Sequence, residues 1–262
     1  MRLVTWNINS VRLRAPLVHR LAKEVAPDVL CLQETKVVDE LFPHDALAEL
    51  YPYRHVRGMK AYNGVAILSR IPFKATGGRD WCGRTDARHV SVTFAGGVEL
   101  HDFYVPSGGD EPDPGINDKF AHKLQFLDEM AAWWRERSRP RAKRILVGDF
   151  NIAPLEHDVW SHKQLLNVVS HTQVEVDRLE QVRASHGWVD AVRHFVPDTE
   201  KLYSWWSYRA RDWRASNRGR RLDHVWVTPS LAQKLQAATV FADARDWPKA
   251  SDHAPVVVDI DI

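Results

Sequence analysis

Short apolar runs recur along this chain, and most end on a side chain that could bind a cation or move a proton. The run at 3–6 leads into Asn7, 29–32 into Gln33-Glu34, and 145–147 into Gly148-Asp149-Phe150-Asn151. Leu222 leads into Asp223, and Ser251-Asp252-His253-Ala254-Pro255 precedes the run 256–258. Runs of this length bounded by turn formers read as strands. Helical spacing predicts one helix over 17–25, closed by Pro27, and a second over 117–137, where Phe120, Leu124, Leu127, Met130, Ala131 and Trp134 recur. A third helix is expected at 174–186. Further strands are expected at 65–68 after the Asn63-Gly64 turn, in a hairpin running from 89–94 through Gly96-Gly97 to 98–105, and at 225–228, 239–242 and 255–260.

Strands outnumber helices, and hairpins alternate with crossovers. The expected class is therefore α/β, with two mixed β-sheets packed face to face and helices outside, rather than a doubly wound parallel sheet. Residues at the mouths of paired strands converge, so ligands distant in sequence can share one pocket. No Gly/Ser linker, repeat or low-complexity tract divides the chain, and residues 1–262 are expected to form one catalytic domain.

Composition changes this picture little. The hydrophobic fraction of 44% and charged fraction of 27% are those of an ordinary globular protein. Two cysteines, Cys31 and Cys82, exclude a disulfide framework. With no leader-like segment and no run long enough to span a bilayer, the expected location is the cytoplasm, without membrane contact. A net charge of +2 does not announce a polyanion partner, but 11 Trp leave some aromatic surface beyond what a core needs.

The candidate chemistry lies in the strand-end residues. Glu34 is the leading metal ligand, because a hard cation such as Mg²⁺ needs only one or two carboxylates plus water and phosphate oxygens. It could equally pair with a basic neighbour. Asn7 could orient Glu34, touch a metal, or simply form a turn. In an extended segment Asp149 and Asn151 point the same way and Phe150 inward, so the acid could take a proton from water while the amide steadies a phosphate oxygen. An Asx turn is the plainer alternative. His253 held by Asp223 would have its tautomer fixed, with Asp252 on the metal side. Cleaving a phosphodiester needs an in-line water, charge compensation and help for the leaving oxygen, and this set supplies all three. The segment 204–222 interleaves Trp205, Trp206, Tyr208 and Trp213 with Arg209, Arg211, Arg214, Arg218, Arg220 and Arg221. Aromatic faces there could stack on bases and arginines bind phosphates, or the segment could be a solvated loop with buried tryptophans.

At these residues the chain resembles the exonuclease III family of the endonuclease/exonuclease/phosphatase superfamily. The marks are Trp6-Asn7-Ile8-Asn9, Leu32-Gln33-Glu34-Thr35-Lys36, Asn63-Gly64-Val65-Ala66-Ile67, Tyr104-Val105-Pro106-Ser107-Gly108, Gly148-Asp149-Phe150-Asn151, Arg221-Leu222-Asp223 and Ser251-Asp252-His253. The resemblance implies a four-layer α/β sandwich and a Mg²⁺- or Mn²⁺-dependent DNA repair nuclease acting as a monomer on double-stranded DNA. The implied activities are incision 5′ to abasic sites, 3′–5′ exonuclease and cleaning of blocked 3′ ends. It also implies roles. Asn7 and Glu34 serve the metal with Asp252 close by, in a ligand set that extends to Asp149, Asn151 and His253. Asp149 activates water with Asn151, Asp223 orients His253, and Tyr104 contacts the scissile phosphate or acts as a phenolate. Trp205 would line the pocket for a flipped abasic sugar, with Leu222, Ser107, Arg209, Arg218 and Arg220 as substrate contacts. Arg220 stands where a bulky apolar residue is common, Ser107 where Asn or Gln is common, and the loop 108–115 is longer than a minimal version.

Two other readings fit parts of the pattern. Catabolite repression control proteins, non-catalytic regulatory nucleic-acid binders, resemble the same family and share a Pro-Ser-Gly loop and a Ser-Trp-Trp segment, but have lost acids that this chain keeps. A superfamily member acting on lipid or inositol phosphates would share the catalytic core. It would not be expected to carry the Trp/Arg segment.

Overall fold

A computed structural model describes residues 1–262. Its strands are β1 (Arg2–Asn7), β2 (Val29–Gln33), β3 (Tyr53–Arg57), β4 (Val65–Ser69), β5 (Ala75–Gly78), β6 (His89–Thr93) and β7 (Glu99–Tyr104). They continue with β8 (Arg144–Asp149), β9 (Val189–Asp190), β10 (Trp205–Trp206), β11 (Gly219–Arg220), β12 (Asp223–Val227), β13 (Leu235–Val240) and β14 (Val256–Ile260). One six-stranded sheet has the order β13-β14-β1-β2-β4-β3, the other β5-β6-β7-β8-β12-β9, and β10 and β11 form a separate ribbon. Each sheet is mixed, for β1–β2 and β7–β8 are parallel while their other neighbours are antiparallel. The expected pair of mixed sheets is therefore what the chain forms.

Period-two alternation sorts the strand residues into layers. Leu3, Val29, Cys31, Val65 and Ile67 of the first sheet meet Val90, Val92, Leu100, Ile145, Val147, Val225 and Val227 of the second in one buried cluster. The opposite faces are covered by helices. Val4, Trp6, Leu30 and Leu32 pack with Val18 and Leu21 of the helix Val11–Glu24. Phe103, Leu146 and Trp226 pack with Phe126, Leu127, Met130 and Trp134 of the helix Asp118–Arg137, and with Leu179 and Val182 of the helix Gln173–His186. The result is helix, sheet, sheet, helix.

The predicted helix ends need one correction. The first helix begins at Val11, not 17, and carries Pro16 in its second turn. Pro16 removes one backbone donor, but the carbonyl it leaves free belongs to exposed Arg12, where water can serve it. The second helix starts as expected, with Asn117 Oδ1 accepting from Lys119 N at 3.0 Å. The third is capped by a Thr172/Glu175 box and ends on Gly187 in the left-handed conformation, φ 66°. Strands β3 and β5 escape the pattern because both are edge strands and neither has a buried row. The expected strand at 239–242 lies further back, at Leu235–Val240.

Behind the ribbon, Arg221 is 2% exposed and binds Asp158 through Nε at 2.8 Å and Nη2 at 2.9 Å, and Asp190 through Nη1 at 2.6 Å. Arg193 adds a further bond to Asp158 at 2.6 Å. Replacing Arg221 by Met leaves buried carboxylates without their main cation, so stability should fall by about 3–5 kcal/mol. Urea denaturation should show a lower midpoint at an unchanged slope.

Candidate active site

The alternation that packs the core also aims the site. Asn7 continues the inward row of Leu3 and Thr5, Asp149 that of Ile145 and Val147, and Asp223 that of Val225 and Val227. The inter-sheet layer thus turns from apolar to ionisable at one edge. Asn7 Nδ2 donates to Glu34 Oε2 at 3.0 Å and to Asp149 Oδ2 at 2.9 Å, so one amide links carboxylates carried by the two sheets. His253 Nδ1 lies 2.8 Å from Asp223 Oδ2, and its Nε2 lies 3.7 Å from Asp149 Oδ2, beyond a hydrogen bond but within ionic reach. Glu34 and His253 therefore belong to one connected cluster, joined through Asn7 and Asp149.

Turns rather than strands set the final orientations. Glu34 and Asn151 adopt left-handed backbone, with φ of 57° and 54°. Asn151 does not extend the strand beside Asp149 as its sequence position suggests. It curls back, so that its own N–H donates to Asp149 Oδ1 at 2.9 Å and its Nδ2 to Val105 O at 3.0 Å. The Asx turn and the paired acid and amide are thus one structure. Phe150 points away into the helix-side core, stacked on His224. Gly148 is required, because a Cβ there would stand 1.9 Å from Phe103 O and its φ is 141°.

Burial and charge set the protonation of the centre. Burial drives the Asp149 carboxyl up to about 7 against the lowering pull of His253. Burial alone would lower His253, but Asp223 and then Asp149 outweigh it and lift the imidazole to about 10. At neutral pH the free protein therefore holds a charged imidazole between two acids. Asp252 is held below its usual range; burial opposes this, and it is outweighed by His253 and by bonds from Asn9 Nδ2 at 3.0 Å and Trp205 Nε1 at 2.9 Å. The Tyr104 phenol is pushed well above its ordinary value by burial and by Glu34 and Asp149.

Asp149, Asp223 and His253 offer ligand atoms that all lie within 4.8 Å of one another. Asp223 Oδ2 is already engaged by His253 and by Ser204 Oγ at 2.6 Å, which makes Asp223 an orienting group rather than a ligand. The oxygen set that could hold a cation is Glu34, Asp149 and the Asn7 side-chain carbonyl, which in the free protein also accepts from Asn9 N at 3.0 Å. It suits a hard divalent ion. Glu34 Oε1 carries Lys36 Nζ at 2.8 Å, and Asp252 stands one residue away through Asn9, which also accepts from Lys36 at 2.7 Å.

A cleft of about 710 Å³ opens beside this centre, lined by Glu34, Tyr104 and Ser107 together with Lys36, Arg84, Arg88 and Lys119. These cations come from separate stretches, and no sequence pattern marks them. Ser204 opens the Ser-Trp-Trp run, but its bond to Asp223, 19 residues on, carries no mark in the sequence.

The Trp/Arg segment resolves differently from its expected role. Trp205 is half-buried next to the centre, held by Asp252 and bridged to His253, with the Arg220 guanidinium 5.5 Å from its ring. Leu222 is buried and packs behind Trp205 with Ala153, Val159 and Leu165. Arg220 is spent on Val169 O at 2.9 Å and Ser170 Oγ at 2.7 Å. Arg214 pairs with Asp243 and Asp246, and Arg221 with Asp158 and Asp190. Trp206 and Trp213 pack on each other. Arg209, Arg211, Arg214 and Arg218 are exposed, and of these only Arg214 is held by carboxylates. Arg209 and Arg218 line a separate hollow, with Arg218 stacked 4.6 Å from the Trp160 ring. Dense local acids, scattered in sequence at 158, 190, 243 and 246, neutralise what looks basic in the linear chain.

The chain is similar to known proteins in sequence and in fold. The sequence model described as Endonuclease/Exonuclease/phosphatase family matches residues 4–253. Exodeoxyribonuclease III of Haemophilus influenzae is 27% identical over 267 residues, spanning 98% of both chains. Among solved structures, an AP endonuclease from Archaeoglobus fulgidus superposes with a TM-score of 0.92 at 30% identity over the whole of both chains. A 3′ phosphatase from Neisseria, bound to a product DNA hairpin, gives 0.91 at 29% identity, again over the whole of both chains. Matched along nearly its full length in sequence and in fold, the chain belongs to the endonuclease/exonuclease/phosphatase family.

Proposed function

We propose that this chain is a metal-dependent DNA repair nuclease that hydrolyses phosphodiesters of duplex DNA. It would incise 5′ to abasic sites, degrade 3′ ends and remove 3′ blocks. The carrying observation is the bond pair from Asn7 to Glu34 and Asp149, which gathers a cation site and a water-activating acid at the mouth of a cationic cleft. Relatives whose names state exodeoxyribonuclease and AP endonuclease activity support the substrate. The full acid set separates this chain from a purely binding relative. Every group named comes from one chain, so a monomer with a single catalytic domain suffices. Its two unpaired cysteines suit the cytoplasm, and no helix is long and apolar enough to cross a membrane.

In this reading Glu34, assisted by Asn7 and with Asp252 nearby, holds Mg²⁺ or Mn²⁺. Bound there, the ion supplies charge compensation at the phosphoryl oxygens. Asp149, raised toward neutrality, is matched to take a proton from the attacking water, which Asn151 helps to fix. His253, charged and aimed by Asp223, offers its Nε2–H to the developing negative charge. Tyr104 keeps its proton and serves as a donor to phosphate rather than as a phenolate. Arg88, whose guanidinium lies 5.0 Å from the Tyr104 ring, adds positive potential, as do Lys36, Arg84 and Lys119. Trp205 offers its ring beside the centre as one wall for an extruded baseless sugar.

Rates on abasic, 3′-phosphate and undamaged duplexes with Mg²⁺ test the reading. The abasic and 3′-phosphate substrates should be cleaved, and Asp149→Asn should lose at least about 10²-fold in kcat. Absence of cleavage by the unaltered protein at any Mg²⁺ or Mn²⁺ concentration would refute it.

The charge pattern also predicts a pH dependence in protein stripped of metal. The folded value of His253, about 10, lies above its ordinary 6.5, so its stabilisation is complete below 6.5 and is lost as pH rises through 10. Asp149, raised from 3.8 to about 7, acts in the same direction at lower pH. Stability should therefore decline from neutral pH towards 10, and Asp223→Ala should flatten that decline while NMR reports a lower His253 pKa. Adding Mg²⁺ should raise Tm, because the ion binds only the folded form. A Glu34→Gln variant should show little or none of that rise.

A further inference from the structure

Directly behind the site lies a buried charge pair that the proposed chemistry does not use. Lys123, on the Asp118–Arg137 helix, and Glu175, at the start of the Gln173–His186 helix, are both 0% exposed and bonded to each other. Lys123 Nζ also donates to Asn151 O at 2.8 Å and Ser107 O at 3.2 Å, which uses all three ammonium hydrogens. Glu175 is saturated as well, accepting from Ser170 N at 3.0 Å, Thr172 N at 3.2 Å and Thr172 Oγ1 at 2.6 Å.

The two carbonyls on Lys123 belong to two loops at the site, of which the Ser107 loop lines the cleft. Ser107 follows β7 and Tyr104; Asn151 follows β8 and Asp149. Asn151 stands in the left-handed region, which Asn adopts more readily than other side-chain-bearing residues, and its backbone is held there at both ends. Its carbonyl is fixed by Lys123 while its N–H is fixed by Asp149 Oδ1, so the ammonium and the carboxylate grip opposite ends of one residue. On the other loop, Gly108 has φ 90°, and a Cβ there would stand 2.9 Å from Lys123 Cδ. Asn117 Nδ2 adds a bond to Gly108 O at 2.9 Å. Stability alone does not call for an ion pair here, since well-packed apolar side chains of similar volume often replace such a pair without loss.

We propose that Lys123, with Glu175 as its counter-charge, is a positioning residue that clamps the Ser107 and Asn151 loops at a fixed separation and so sets the water-activating Asp149–Asn151 unit against the phosphate-facing Tyr104–Ser107 strand end. The proposal rests on the nuclease reading for its kinetic consequence. Its geometric content stands apart from that reading.

The test uses the full chain. Lys123→Met alone strands a buried carboxylate and risks unfolding, so the informative variant is Lys123→Met combined with Glu175→Met. With folding checked by thermal melt and DNA-binding stoichiometry, kcat on an abasic duplex at saturating Mg²⁺ should drop at least tenfold while KM and duplex Kd stay within twofold. The amide NMR signals of Gly108 and Asn151 should shift. Loss that merely reflects a smaller folded fraction would leave kcat per binding-competent molecule unchanged, and that result overturns the proposal. So does a double variant that cannot fold, because the pair would then serve folding instead. If the unaltered protein cleaves no DNA, the nuclease reading fails, and the amide shifts decide the clamp: unchanged signals refute it.

Discussion

Everything at the site depends on one constraint: two sheets packed face to face share a single inward layer, and period two decides which residues enter it. Along β8 and β12 the inward row is apolar up to its member at the site edge, Asp149 or Asp223, and along β1 it passes from Leu3 through Thr5 to Asn7. β2 and β7 repeat the gradient, with Gln33 and Asp102 and then Tyr104 on the same rows. Gln33 Nε2 bonds Thr5 Oγ1 at 2.9 Å and Asp102 Oδ1 at 2.6 Å, just below the bonds from Asn7. The hydrophobic core and the ionisable centre are thus two ends of one slab. The bond from Asn7 to Asp149 crosses between the sheets where the slab opens to water.

Placing acids at that edge has an electrostatic cost that the neighbours partly offset. Burial alone would empty the site of charge, raising carboxyls and lowering imidazoles. His224, buried with no carboxylate bonded to it, is driven down to about 4. His253, which precedes β14 of the other sheet, is driven up because Asp223 and Asp149 face it. The contrast between two equally buried histidines shows that the partner, and not burial, selects which one carries charge at neutral pH. Asp102 makes the complementary point: enclosed in the slab with only Gln33 beside it, its carboxyl is raised well above the ordinary range, whereas Asp190, partly buried against Arg221, stays low.

This contrast also explains what the sequence could reveal. The strand ends were legible, because apolar runs and their terminal residues are local, and pairing then brings those ends together by geometry. The fold class was legible for the same reason. The two edge strands were not, since a strand packed on neither face has no apolar row to show. Asn151 was legible as a candidate, and the Asx turn with Asp149 as an alternative, but not the tie of its carbonyl to Lys123, which comes from a distant helix. The arginines of 204–222 misled most. Whether a guanidinium is free depends on acids elsewhere in the chain, and Asp158, Asp190, Asp243 and Asp246 become visible as partners only when the fold is in hand. The converse holds for the cleft, whose Lys36, Arg84, Arg88 and Lys119 never cluster in the chain yet share one surface.

The left-handed residues at the site show that its rigidity comes partly from outside it. Asn9, Glu34 and Asn151 have φ of 46°, 57° and 54°. Each such position sits above its relaxed energy and would drift without restraint. Their backbones are tied to other elements. Ser10 N, next to Asn9, donates to Glu34 O at 2.8 Å, Thr35 N, next to Glu34, donates to Gly64 O at 3.1 Å, and Asn151 O receives Lys123. Main-chain ties to other elements work together with side chains of the site itself. Asp149 Oδ1 accepts from Asn151 N at 2.9 Å and Asn7 Oδ1 from Asn9 N at 3.0 Å, so the same groups that face the chemistry also help to hold its turns.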